Sequence, residues 1–97
     1  MIERKLPAPL RRLMKALRTE LSAEVEAERI PGSDDLPDRF RLAVVSPKFK
    51  TMNHLRRQDV VWKIVDRVLD PDEQFSLVSI ILAFSPNELE PAGNQKK

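Results

Sequence analysis

Cysteine and tyrosine are absent from this 97-residue chain, and there are only two glycines, one histidine and one tryptophan. Each shortage closes off a chemistry. Without cysteine there are no disulfides, thiolate ligands or thiol nucleophiles, and no imprint of a redox compartment. Gly32 and Gly93 do not make a phosphate-cradling loop. His54 alone cannot complete a metal shell of three or four ligands, and it has neither a thiol nor a serine in a nucleophile elbow to activate. Stacking of nucleic-acid bases would rest on Trp62 and little else. The longest uncharged stretch, Phe75 to Asn87, is too short and too proline-broken to cross a bilayer, and no apolar leader core follows the basic start. The expectation is a soluble cytoplasmic protein that is not an enzyme, binds no membrane, and has no cofactor and no metal site. Asp34-Asp35 and Asp70, Asp72 and Glu73 fall beside prolines and read as turn and cap residues, not as paired catalytic carboxylates.

What the chain does have is charge, unevenly spread. Lysine and arginine total 17 against 15 acidic residues, a net charge of +2. The first twenty residues hold Arg4, Lys5, Arg11, Arg12, Lys15 and Arg18 against Glu3 and Glu20. Residues 24–38 are acidic, and residues 39–67 turn basic again. This length and composition suit one domain, placed at 1–90, with 91–97 as a disordered tail.

Periodicity places the elements. Leu10, Leu13, Met14, Leu17 and Leu21 make one apolar stripe of a first helix after Pro7 and Pro9, with Arg11, Arg12, Lys15 and Arg18 opposite. Residues 23–30 alternate strictly, with Glu24, Glu26 and Glu28 on one side, and read as a strand. The loop from Pro31 to Pro37 closes a hairpin onto residues 40–45, which sets Arg39 and Arg41 against those glutamates. Ser46-Pro47 breaks the second strand as cap and first helical position. From Thr51 the period is helical: Leu55, Val61, Trp62, Ile64, Val65, Val68 and Leu69 share one half-cylinder, and Arg56, Asp59, Lys63, Asp66 and Arg67 the other. Residues 70–73 end this helix. Phe75–Ser85 reads as a third strand with Val78, Ile80, Leu82 and Phe84 inward, leaving Leu77 and Ile81 on the opposite, open face. A crossover through a helix makes this strand parallel to the second. Ser85-Pro86-Asn87-Glu88 reads as a capping box opening a short last helix. The expected fold class is α+β, in the order α-β-β-α-α-β, a three-stranded mixed sheet with helices on one face.

The central stretch resembles the BolA-like family, whose strand, turn and helix run F-x-V-x-V-V-S-x-x-F-x-G-x-x-x-x-x-R-H-R-x-V. Phe40, Val44, Val45, Ser46, Phe49, Arg57 and Val61 match without a gap, and Ser85 to Leu89 is similar to the family's T-P-E-E-W close. The resemblance spans about residues 6–90 and implies a relative of the type II KH fold. It also implies a regulatory or adaptor protein that pairs with a monothiol glutaredoxin, often over a shared [2Fe–2S] cluster, or a DNA-binding regulator. Family cluster ligands are a histidine at the start of the third strand and a cysteine or histidine in the hairpin loop. Here the first position holds Leu77, and residues 30–38 contain neither residue type. The family's R-H-R places its histidine on Gln58 and its second arginine on Asp59, and the signature glycine falls on Thr51.

Two binding surfaces follow as candidates. Leu77 and Ile81 on the open face, with Gln58 at the helix start, form a partner-binding patch, a glutaredoxin-like protein being one candidate partner. Lys48, Lys50, Arg56, Arg57, Lys63 and Arg67 form a basic nucleic-acid-binding surface. The adaptor without cluster ligation is the first reading, and the nucleic-acid-binding regulator the alternative.

Overall fold

Proline starts three of the helical segments and a polar cap holds most of them, so the chain's turns are fixed locally before any packing occurs. The computed structural model describes residues 6–89; the expected tail at 91–97 lies outside the described residues. Helix α1 spans Ala8–Leu21, with Pro9 in its first turn. It buries Leu10, Leu13, Met14, Leu17 and Leu21, the stripe its spacing predicts. The helix closes on Ser22 at φ 50°, a left-handed turn that glycine ordinarily occupies.

Strands β1 (Glu24–Ile30) and β2 (Arg39–Val45) pair antiparallel from Glu24 opposite Val45 to Ile30 opposite Arg39. The hairpin loop folds on itself through Ser33 and Leu36. Asp38 accepts hydrogen bonds there from the Gly32 N–H at 2.7 Å and from Arg29 at 2.8 Å. A side chain at position 32 would begin 2.0 Å from the Leu36 carbonyl, so only glycine fits. Arg41 meets Glu28 across the pair, as the alternation predicts. Arg39 does not face the glutamates. Its guanidinium donates to the Val78 carbonyl at 2.6 Å and lies 5.7 Å from the centre of the Phe75 ring.

Ser46 and Pro47 begin a separate 3-10 turn, Pro47–Thr51, and not the long helix. The long helix α2, His54–Val68, has its own cap, with Asn53 Oδ1 accepting from the Arg56 N–H at 2.8 Å. The buried Ser46 hydroxyl donates to the Leu21 carbonyl, tying the end of α1 to the end of β2. Leu55 is 81% exposed, because the first turn of α2 overhangs the sheet and Arg57, not Leu55, fills the buried level.

Residues 70–77 differ from expectation. Asp70 and Glu73 form a reciprocal capping box around Pro71, which launches a further helix, α3 (Pro71–Leu77). Strand β3 therefore starts at Val78, three residues later than the apolar run suggests, and ends at Phe84. It is parallel to β2, in the sheet order β1-β2-β3. Phe40 faces Val78 and Arg41 faces Ile80, so Ser79 is an extra residue. One inserted residue exchanges the two faces of everything after it. Ile81 and Ala83 are consequently in the core, at 2% and 3% exposure, and Ile80, Leu82 and Phe84 lie on the other face.

The core sits between one face of the sheet and helices α1 and α2. Leu10, Leu13, Leu17, Leu42, Val44, Phe49, Val61 and Val65 are fully enclosed in it. The order α-β-β-α-α-β and the mixed three-stranded sheet are as the sequence predicts. Among the described residues, no helix is long and apolar enough to cross a membrane.

Candidate interaction surfaces

Arg57 occupies the apolar stripe of α2, one turn before Val61, and is 8% exposed. A buried guanidinium has five donors to satisfy, and this one finds acceptors in three segments. Its Nε donates to the carbonyls of Phe49 and Met52, at 3.1 and 3.0 Å. Nη1 reaches the Ala83 carbonyl at 3.3 Å, and the two terminal nitrogens clasp the Glu88 carboxylate at 2.7 and 2.8 Å. The same carboxylate accepts from the Ser85 N–H at 3.0 Å, half of the capping box expected there, in the 3-10 turn Pro86–Leu89. The Arg57 guanidinium, followed by the Ser85 N–H, pulls the Glu88 carboxyl down to about 2. Arg57 thus pins the turn before α2, strand β3 and the final turn together. It has no free face for a phosphate, so its place among the nucleic-acid-binding residues is corrected.

Gln58 works beside it. Its Nε2 donates to the Ile81 carbonyl at 3.0 Å, and its Oε1 accepts from the Trp62 indole at 3.1 Å. The Ser46 N–H donates to the Phe84 carbonyl at 2.9 Å, so that carbonyl faces the β2 side. Carbonyls alternate along a strand, which turns those of Ile81 and Ala83 toward the outer border. Gln58 and Arg57 therefore cover the acceptors of the β3 edge. Gln58 is a half-buried amide spent on backbone.

The remaining cations of the expected basic surface divide. Lys63 pairs with Asp59 at 3.3 Å, Arg67 pairs with Glu20, and the Lys48 ammonium donates to the Glu20 carbonyl at 3.1 Å. Lys50 and Arg56 are exposed, with no acidic partner among the described residues. Lys48, Lys50 and Arg56 lie around the start of α2, whereas Arg67 is in its last turn, so the expected surface is spread along the helix and partly neutralised.

The apolar patch is real but differently composed. Ile81 is core, and Leu77 is half-buried against the core at the end of α3, so neither lies on the open face. That face carries Ala43 and Val45 from β2 and Ile80, Leu82 and Phe84 from β3, with Ile80 47% exposed. Two shallow depressions cross it. One, of about 280 Å³, is lined by Glu24, Glu26, Ala43, Val45 and Phe84; the other, of about 220 Å³, by Glu26, Glu28, Arg41, Ala43 and Leu82 among others. Period-2 reasoning puts Ile80, Leu82 and Phe84 inward for want of the Ser79 bulge, which only the pairing of the strands reveals.

An iron–sulfur cluster asks for thiolate or imidazole donors. Leu77 offers hydrocarbon at the third-strand position, and the hairpin loop has no cysteine or histidine. Among the described residues no three carboxylate or imidazole side chains come together as a metal site. The side chains present do not fit the cluster.

No family model matches this sequence, and no curated protein matches it. Solved structures do. BolA1 from Arabidopsis thaliana aligns with a TM-score of 0.66 at 24% identity, over 89% of this chain and 100% of its own. The BolA domain of SufE1 from the same plant gives 0.64 at 22% identity, over 87% and 99%. BolA1 from Mus musculus gives 0.65 at 26% identity, over 86% of this chain and 69% of its own. The architecture is therefore that of the BolA proteins, an α+β fold with one mixed sheet. The chain is thus similar in fold to the BolA proteins, and its residues 40–61 carry the motif that resembles theirs.

Proposed function

We propose that this chain is a non-enzymatic adaptor or regulator that works by binding another macromolecule and does so without holding an iron–sulfur cluster. The observation that carries this reading is the bare sheet face, where Ala43, Val45, Ile80, Leu82 and Phe84 present hydrocarbon that no element of the described chain covers. Such a face on a small domain marks a contact surface. The absence of paired catalytic groups and the hydrocarbon at Leu77 support the non-enzymatic, cluster-free part, and a glutaredoxin-like protein met through protein contacts alone is one partner that fits. The test pairs the wild type with Leu82→Ser/Phe84→Ser in cross-linking from the native cell. A protein partner that crosslinks to the wild type and is lost from the double variant is expected; a partner retained undiminished would overturn the reading. Mixing with a cluster-loaded glutaredoxin should leave the cluster spectrum unchanged, with Leu77→His as the comparison.

A second reading, binding of nucleic acid at the start of α2, is favoured by the exposed and unneutralised Lys50 and Arg56. Each phosphate contact removed should flatten the dependence of log K on log salt by about 0.9 on duplex DNA. Lys50→Ala and Arg56→Ala are expected to do so, and Lys63→Ala, whose charge Asp59 already meets, to do so less.

A further inference from the structure

The bare face is not uniformly apolar. Alternation along β1 places Glu24, Glu26 and Glu28 along one side of it, beside the hydrocarbon of β2 and β3. Glu28 is matched by Arg41. Glu24 and Glu26 are exposed and meet no cation among the described residues, yet they wall the larger depression opposite Val45 and Phe84. We propose that this face docks a basic amphipathic helix of a partner protein, its apolar stripe on Val45, Leu82 and Phe84 and its lysines or arginines on Glu24 and Glu26. The proposal rests on the adaptor reading above and specifies the partner's chemistry.

Dimensions agree with such an occupant. Three strands about 4.8 Å apart make a platform about 10 Å wide, the diameter of one helix with its side chains. Glu24 and Glu26 are two residues apart on a strand, about 7 Å, and cations one helical turn apart are separated by about 6 Å. A helix lying along the strands can therefore satisfy both carboxylates from one flank. It would also complete a helix–sheet–helix layering of which this chain supplies two layers.

Other occupants fit less well. A second copy of this chain laid face to face would set its own glutamates against these, or bury them on Ile80 and Leu82, and neither arrangement gives them a partner. The helices of the described chain with basic faces, α1 and α2, both have their apolar stripes in the core. Nucleic acid and anionic lipid are repelled by the two carboxylates.

The test uses the full-length chain and a synthetic leucine–lysine amphipathic peptide of about four helical turns, followed by methyl and amide NMR. One-to-one binding is expected, with shifts at Ala43, Val45, Ile80 and Leu82. Glu24→Lys/Glu26→Lys, at exposed positions, should keep the circular dichroism spectrum and weaken binding about tenfold or more. Lys15→Ala, on the exposed face of α1, should leave it unchanged. Shifts confined to another surface, equal binding of a control peptide with glutamate in place of each lysine, indifference to the charge reversal, or a dimer that protects this face would each overturn the proposal. The two levels separate in the cross-linking experiment. A cellular partner lost from Leu82→Ser/Phe84→Ser but kept by Glu24→Lys/Glu26→Lys leaves the adaptor standing and removes the basic helix.

Discussion

The two faces of one three-stranded sheet have opposite fates in this protein. The inner face, Phe40, Leu42, Val44, Val78, Ile81 and Ala83, is sealed by helices and fully buried, whereas the outer face carries residues of similar hydropathy that stay half in water. Hydropathy alone therefore does not tell stability from binding. The division is made by register, and in β3 by one extra serine. Substitutions on the inner face should show in folding, and substitutions on the outer face in association.

The largest contrast is between two phenylalanines. Phe40→Ala, buried on the inner face, should cost about 3–5 kcal/mol in urea denaturation, against under about 1 kcal/mol for Phe84→Ala on the bare face. Equal losses would abolish the distinction. Next is Arg57→Ala, which takes the side-chain donor from the Met52 carbonyl, leaves the Phe49 carbonyl only the Met52 N–H, and should cost about 2–3 kcal/mol. Arg57→Lys should not restore it, because an ammonium cannot reproduce the fork to Glu88. Smaller again is Gln58→Ala, about 1 kcal/mol, with faster amide exchange along β3 as the local readout.

The smallest effect is a pH dependence. Glu88 ordinarily titrates near 4.5 and is held at about 2 in the folded chain. A lowered folded value means that its stabilisation is fully present above pH 4.5 and lost as pH falls toward 2. Glu88→Gln should remove that part of the acid sensitivity, seen as a shallower fall of melting temperature between pH 4.5 and pH 2. An unchanged slope would place the acid response elsewhere.

Most of the fold was legible because the segments with strong periods are also the ones with strong punctuation. The Leu10–Leu21 stripe, the alternating strand at 24–30 and the hairpin loop after it all lie where sequence reasoning puts them. What failed did so for physical reasons. The bulge at Ser79 depends on pairing with a strand 38 residues away, Phe40 to Val78, and has no local signature. The capping box at Asp70 and Glu73 was legible as a signal but was read as a stop, although the same geometry also begins α3. Arg57 could have been found: by helical angle it sits within the Val61, Val65 and Val68 stripe, and a cation there must be paired or bonded. A count of charge carries no direction, and Arg57, one of the six expected phosphate contacts, is an internal clasp.

The covered carbonyls of β3 bear on how the molecule behaves when crowded. A sheet with an uncharged, valine- and isoleucine-rich border invites neighbours to zip onto it and extend without limit. Two adjacent side chains of α2 occupy the acceptors that a growing stack would need, and three glutamates guard the far strand. Protection against edge-to-edge stacking is thus written into helix α2 as much as into the charged strand β1.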